Sequence, residues 1–230
     1  MTKAPQPGKV KTRLVPPLTS EEAAALNVCF LRDLSASISH ACSKAPARAV
    51  AVFTPPDAVD AYQGILDPSF LLMRQRGEEF GDRLFFATQD LLRAGFESVC
   101  LINSDSPTVS AAVFAQAATA LAEPTGRVVL GPALDGGYYL IGMRRLDRRL
   151  FEDIDWSTDR VYKQSRQRAG ELGLPVYELP LSFDIDDGEG LRRVCTELLS
   201  NEATTKDVAI ETRRFLSELK VKKPKLEIFA

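Results

Sequence analysis

Histidine is almost missing from this chain of 230 residues: His40 stands alone. That excludes a His-based catalytic triad. The four cysteines, Cys29, Cys42, Cys100 and Cys195, lie far apart with no CxxC pair, which argues against a zinc site and for buried thiols in a reducing compartment. No run of eighteen apolar residues occurs, and Met1-Thr2-Lys3-Ala4-Pro5 has no apolar core behind it. Neither a membrane span nor a signal peptide is expected, and the expected location is cytoplasmic. Charge of one sign is not in excess either, since 29 basic and 31 acidic residues leave a net of -2. A non-specific nucleic-acid binder and an acidic disordered chain are thereby excluded, and any partner must be recognised locally. No stretch reads as a linker, and the length fits one generous domain. The oligomeric state is left open, because no uncovered apolar stripe stands out.

What is present is an alternation of helices and short apolar strands. Thr19 and Glu22 form a capping-box pattern that opens a long helix to about residue 41. Strands are expected over 48–54, more weakly 70–73, then 98–103, 127–130, from Tyr138 onward, and 176–179. Between them lie a short helix over 57–65 and a longer one over 77–94. The latter has apolar positions Phe80, Leu84, Ala87, Leu91 and Ala94. Further helices are expected after Ser110, after Ser157 or Thr158 to Leu172, and through Leu191, Val194 and Leu198. A terminal helix spans 207–219, before a solvated basic stretch over 220–225. Such alternation is the signature of right-handed βαβ units and a largely parallel sheet. The expected division is 1–200 for the main domain and 201–230 for a C-terminal helix and basic tail.

Polar clusters fall at the strand ends. In an open α/β sheet ligands sit outside the carboxyl ends of the strands, so Asp105, two residues beyond the 98–103 strand, is well placed to meet one. The same Asp105-Ser106-Pro107 also suits a plain turn. The first eighteen residues hold four prolines, Gly8 and the cations Lys3, Lys9, Lys11 and Arg13. In an extended segment the alternating Lys9, Lys11 and Arg13 would share one side and suit a phosphate, although a solvated basic terminus reads the same way. This is not a Walker A loop, since Val10 follows Lys9 where Ser or Thr is needed. Leu134-Asp135-Gly136-Gly137-Tyr138 frees the backbone to approach a ligand, or makes an Asp-Gly hairpin. Trp156, the single tryptophan, reads as packing rather than a stacking surface. If the backbone is extended at Asp184-Ile185-Asp186, both carboxylates face one way and need a divalent cation or the basic loop between them. Asp186 or Asp187 alternatively caps the following helix.

Together these stretches resemble a known family. Lys3-Ala4-Pro5-Gln6-Pro7-Gly8-Lys9-Val10-Lys11-Thr12-Arg13-Leu14, Gly77-Glu78-Glu79-Phe80-Gly81-Asp82-Arg83-Leu84, Ser104-Asp105-Ser106-Pro107, Gly131-Pro132 with Leu134 to Gly142, Trp156-Ser157-Thr158 and Asp184-Ile185-Asp186 are similar to the bacterial glycosyltransferase-like family of the nucleotide-diphospho-sugar transferase superfamily. The related phospholactate guanylyltransferases have a similar phosphate loop. The resemblance implies a single-domain GT-A type, Rossmann-like three-layer sandwich with a mostly parallel central sheet. It implies a transferase that uses a nucleotide-activated donor and Mg²⁺ or Mn²⁺. Glycosyl transfer from a nucleotide sugar to a small acceptor is slightly favoured over nucleotidyl transfer from an NTP to a phosphorylated acceptor, and a non-catalytic nucleotide-binding protein is a further reading. Gly8, Lys9, Lys11 and Arg13 would hold phosphates, with Ser104, Gly136, Gly137 and Trp156 also on the nucleotide or substrate. Asp105, Asp184 and Asp186 would hold the metal. Lys11 and Arg13 would stabilise the departing phosphate charge, and Asp135 would face the acceptor. Two departures stand out. Asn103 occupies a position that is usually glycine, and Met1 directly precedes a loop that normally follows an apolar first strand. That strand is therefore expected to be missing from this chain, with a start site placed downstream of the true one.

Overall fold

The computed structural model describes residues 1–124, 126–200 and 207–229. Seven strands and six α-helices alternate among these residues: β1 (Thr2–Lys3), α1 (Ser20–Cys42), β2 (Val50–Thr54), β3 (Leu71–Arg74), α2 (Phe80–Arg93), β4 (Val99–Ile102), α3 (Ala111–Ala122), β5 (Val128–Pro132), β6 (Tyr138–Met143), α4 (Val161–Glu171), β7 (Val176–Glu178), α5 (Gly188–Leu199) and α6 (Ile210–Lys222). The strands form a parallel sheet of order β1-β2-β3 and a mixed sheet of order β4-β6-β5-β7. In the second, β6 runs antiparallel to β4 and β5 while β5 and β7 are parallel. Among the described residues, no helix is long and apolar enough to cross a membrane.

The alternation of side chains along each strand builds the layers. Val99 and Leu101 of β4, Val128 and Leu130 of β5, and Ile141 and Met143 of β6 face α2 and α4 through Leu84, Ala87, Leu91 and Ala169. Val129 of β5 and Leu140 of β6 turn the other way, onto α1 and α3 through Leu34, Ala41, Phe114, Ala117 and Leu121. A third cluster joins Leu26 and Phe30 of α1 to Leu191, Val194 and Leu198 of α5 and Leu216 and Leu219 of α6. The result is the α/β sandwich expected. The first strand, expected to be missing, is present as the two-residue β1, because Thr2 pairs with Phe53 and Lys3 with Thr54 of β2. Met1 donates from its terminal nitrogen to the carbonyl of Ile102 at 2.8 Å, so the chain's first residue lies where the two sheets meet.

Several boundaries differ from expectation for local reasons. The 77–94 helix begins at Phe80, because Gly77 has φ +108 and Glu79 is extended. The helix expected after Ser157 or Thr158 begins at Val161. Ser157 has φ +63, and Thr158 spends its hydroxyl on the carbonyl of Asp155 and the N–H of Arg160. The short helix over 57–65 is a 3₁₀ turn, Val59–Tyr62. The terminal helix starts at Ile210 and extends through Lys222, taking in part of the stretch expected to be a basic tail. The expected division at 200/201 falls on 201–206, outside the described residues.

Candidate functional site

Four segments converge at the carboxyl ends of β1, β4 and β5. The first is the N-terminal loop. It is a loop that turns rather than an extended segment: Lys11 adopts a left-handed conformation, φ 49 and ψ 38, and opens a 3₁₀ turn, Thr12–Leu14. A non-glycine residue there is strained. The turn buries Leu14 against α1 and α5 and sends the Lys11 side chain inward, so that 5% of it is exposed, while Arg13 stays outside. The cations therefore converge through a turn, not through strand alternation.

The second segment is the loop after β4. Asn103 donates its N–H to the carbonyl of Tyr139, and the Asn103 side chain accepts from the N–H of Asp105. Ser104 and Asp105 then face the N-terminal loop, with Ser104 Oγ 3.4 Å from Asp105 Oδ1. The third segment, 182–187, is fixed to the second by the N–H of Ile185 donating to the carbonyl of Asp105. The fourth is the β5–β6 hairpin, tied to the third through the N–H of Leu134 and the carbonyl of Ser182. Asp135 accepts from the N–H of Gly137 at 2.8 Å, so the Asp-Gly hairpin is real. Gly136 has φ +85 and carries no side chain because a Cβ there would lie 2.2 Å from the carbonyl oxygen of Asp159.

At the centre is an ion-pair cluster. Lys11 Nζ lies 2.5 Å from Asp105 Oδ1 and 2.8 Å from Asp186 Oδ1, and donates to the carbonyl of Ile185 at 2.9 Å. Arg13 pairs with the other oxygen of Asp186 at 2.9 Å. Burial alone would lower the Lys11 pKa, but Asp105 and Asp186 outweigh it and raise it. Among the described residues no cation pairs with Asp184. Burial, with Asp135, Asp186 and Asp105 nearby, pushes its carboxyl up to about 7. Lys3, Lys9, Lys11, Arg13, Asn27, Ser104, Asp105 and Asp186 line a cavity of about 200 Å³.

Most of the sequence-derived site residues thus meet. Lys9, Lys11, Arg13, Ser104, Asp105 and Asp186 share the cavity, and Asp135 and Asp184 stand beside it. Gly8, Gly136 and Gly137 shape the turns. Trp156 packs edge-on against Phe80 and Tyr138, with Gly81 tight against its indole. Asn27 was not foreseen. It stands on the core stripe of α1 formed by Ala23, Leu26, Phe30, Leu31 and Leu34, and a polar residue on such a stripe is the signal that marks it.

The donor set suits a hard divalent cation. Among the described residues no three His, Cys, Asp or Glu side chains are arranged to hold a metal. Mg²⁺, however, is usually held by one or two carboxylates together with substrate phosphates and water. Asp105 and Asp186 supply that pair, and the Lys11 ammonium already sits between them as a cation would.

The layered α/β fold matches that of a solved nucleotide-diphospho-sugar transferase-like protein. A crystal structure from Desulfovibrio desulfuricans G20, provisionally named a nucleotide-diphospho-sugar transferase, superposes with a TM-score of 0.83 and 28% identity, covering 96% of this chain and 93% of that one. Residues 37–158, more than half of the chain, match the family described as uncharacterized protein conserved in bacteria (DUF2064), and the chain belongs to that family. A CMP:2-keto-3-deoxy-manno-octonic acid synthetase complexed with CTP matches at a TM-score of 0.48 and 12% identity over 72% of this chain and 85% of that one. No curated protein matches the chain.

Proposed function

We propose that this protein is a metal-dependent transferase acting on a nucleotide-activated donor, with glycosyl transfer from a nucleotide sugar to a small acceptor as its reaction. The observation that carries the reading is the facing of four cations, Lys3, Lys9, Lys11 and Arg13, onto Asp105 and Asp186 across one small cavity at the strand ends. Cations alone would suit any anion, and carboxylates alone any cation. The two sets together suit a diphosphate carried with a divalent metal. The name borne by the Desulfovibrio protein, of the same fold over nearly the whole chain, points the same way.

Arg13, exposed and forked, and Lys9, exposed and unbranched, would hold the donor phosphates and stabilise the charge that develops as the nucleotide leaves. Asp105 and Asp186, with Asp184 beside them, would hold Mg²⁺ or Mn²⁺, which when bound neutralises phosphate charge as a Lewis acid. Asp135 is exposed at the tip of its hairpin and close enough to Asp184 to raise its pKa. It is placed to accept a hydrogen bond, and then a proton, from an acceptor hydroxyl. Nucleotidyl transfer from an NTP is the second reading, favoured by the number of cations, since three phosphates carry more charge than two.

The test is thermal stability against NTPs and nucleotide sugars, each with and without Mg²⁺ or Mn²⁺. A ligand at about a hundred times its dissociation constant adds roughly 2.7 kcal/mol of stability. A metal-dependent rise with nucleotide sugars supports glycosyl transfer. A rise confined to one NTP moves the reaction to nucleotidyl transfer, and no rise with any nucleotide overturns both.

A further inference from the structure

Lys11 is the most deeply placed cation of the cavity, yet it has nothing left to offer a phosphate. An ammonium has three N–H donors, and Asp105, Asp186 and the carbonyl of Ile185 take all three. On the facing wall the converse holds. Asn27 is 3% exposed and lines the same cavity, and its side-chain oxygen is buried with no hydrogen-bond partner. The two groups are neighbours. Lys11 Nζ lies over the ring of Phe30 at 5.4 Å from its centroid, and Phe30 is one helical turn from Asn27 on the same face of α1. A saturated donor therefore stands next to a buried acceptor that lacks one. Buried polar groups without partners are rare and costly, and one that lines a ligand cavity is an acceptor open to a donor that enters or turns within it.

We propose that Lys11 and a divalent cation are alternative occupants of the Asp105–Asp186 pair, and that Lys11, when displaced, turns its ammonium to the Asn27 carbonyl and to the donor phosphates. The inference rests on the metal-dependent reading above and adds a regulatory device to it. With Lys11 on the carboxylates, and Arg13 on the outer oxygen of Asp186, the pair is neutralised and the deepest phosphate ligand is withheld. With Lys11 on Asn27, Oδ1 of each carboxylate is free for metal while Arg13 keeps Oδ2 of Asp186, and the ammonium faces the phosphates. Metal and nucleotide then favour the same arrangement, so each strengthens the binding of the other by the same factor.

The first experiment is calorimetric titration with Mn²⁺ alone, without nucleotide, of the wild type, Lys11→Met and Lys9→Met. If Lys11 holds the pair in nine molecules of ten, its removal tightens Mn²⁺ binding about tenfold. Lys9→Met removes the same charge from the same cavity but touches neither carboxylate. It tightens binding by less than about threefold, because exposed charge is screened. Asn27→Leu keeps Lys11 and both carboxylates and weakens Mn²⁺ binding by about threefold to tenfold, as the released ammonium loses one hydrogen bond. Equal affinities of wild type and Lys11→Met, an equal effect of Lys9→Met, or no Mn²⁺ binding by either protein overturns the proposal. If Lys11→Met does not fold, wild-type protein carrying ¹³C-lysine answers the same question. The Lys11 Cε signal, displaced by the Phe30 ring, moves on Mg²⁺ saturation if the ammonium leaves, and an unmoved signal overturns the exchange. Because these arms contain no nucleotide, their failure is distinct from failure of the nucleotide panel.

Discussion

Helix α1 carries three buried polar side chains, Asn27, Asp33 and Ser35, and the surroundings of the first two are opposite. Asp33, 5% exposed, accepts from the backbone N–H of Glu211 at 2.9 Å, from that of Thr212 at 2.8 Å, and from the Thr212 hydroxyl at 2.6 Å. It caps the first turn of α6 and docks that helix on α1. Burial pushes its carboxyl up, and the three donors pull against that without reversing it. Asn27, less than two turns away, has no partner for its oxygen and faces the cation-lined cavity. A buried polar group whose partners all lie inside the fold is architecture. One whose partners are wanting beside a cavity belongs to the chemistry there. The same contrast separates Asp33 from Asp184, which is crowded by Asp135, Asp186 and Asp105 and is compensated only by its own backbone N–H, not by donors of another helix.

The comparison breaks first at Asp33. Asp33→Ala strands three donors at the start of α6, two of them on buried Thr212, and is expected to cost about 2–3 kcal/mol, roughly 5–10 °C in Tm. Denaturant unfolding measures it. A loss below about 1 kcal/mol would mean that Leu216 and Leu219 dock α6 without the cap. Asp186→Asn should do the reverse. Asp105 and the Ile185 carbonyl still hold Lys11, and the crowding of carboxylates is relieved, so stability changes by less than about 1 kcal/mol. The metal-dependent rise of Tm with nucleotide disappears. Asn27→Leu sharpens the contrast further. Replacing a partnerless buried amide by an apolar group of similar volume is expected to raise stability without ligand by up to about 1 kcal/mol, whereas the same exchange at Asp33 lowers it.

Why parts of this were legible in the sequence follows from the same residues. Local rules identified α1, because its capping box is a contiguous pattern, and both of its reciprocal bonds are formed, between the Glu22 N–H and Thr19 Oγ1 and between the Thr19 N–H and Glu22 Oε2. They pointed to Asp105, and to Asp184 with Asp186, as carboxylates at strand ends, because such places are few in an α/β fold, and the structure brings these side chains together. They read the N-terminal stretch as a loop but not its conformation. Alternation would bring the cations together only in an extended chain, whereas burial of Leu14 and the pull of Asp105 and Asp186 on Lys11 favour a left-handed turn. Asn27 carried one local signal, its polarity on an apolar stripe, but the Asp33 cap was out of reach, since it depends on a contact between segments 178 residues apart. The antiparallel run of β6 beside β5 was open to a local reading through the Asp-Gly hairpin, whereas its pairing with β4 was not, because a strand's second partner is not written in its own alternation.

Glu22 stands at the shallow end of the same scale and gives the smallest expected effect. Its side chain is 22% exposed, accepts the N–H of Thr19 at 2.9 Å and pairs with Lys223 at 2.6 Å, tying the start of α1 to the end of α6. Burial alone would raise its pKa from the ordinary 4.5, but Lys223 and the Thr19 N–H outweigh it and hold it lower. A carboxyl with a depressed folded-state pKa stabilises the fold fully above its unfolded value and loses that contribution as pH falls through the folded one. Glu22→Gln keeps the capping-box geometry, since glutamine serves at that position, and removes only the charge. The variant is therefore expected to be about 0.5 kcal/mol less stable at pH 7, a partly exposed pair being screened. The difference should close as pH falls below about 4.5 and shrink in high salt, both read from urea midpoints. A difference that persists at low pH would assign the effect to packing against α6 rather than to charge, and would place Glu22 with Asp33 as a structural tie between the two helices.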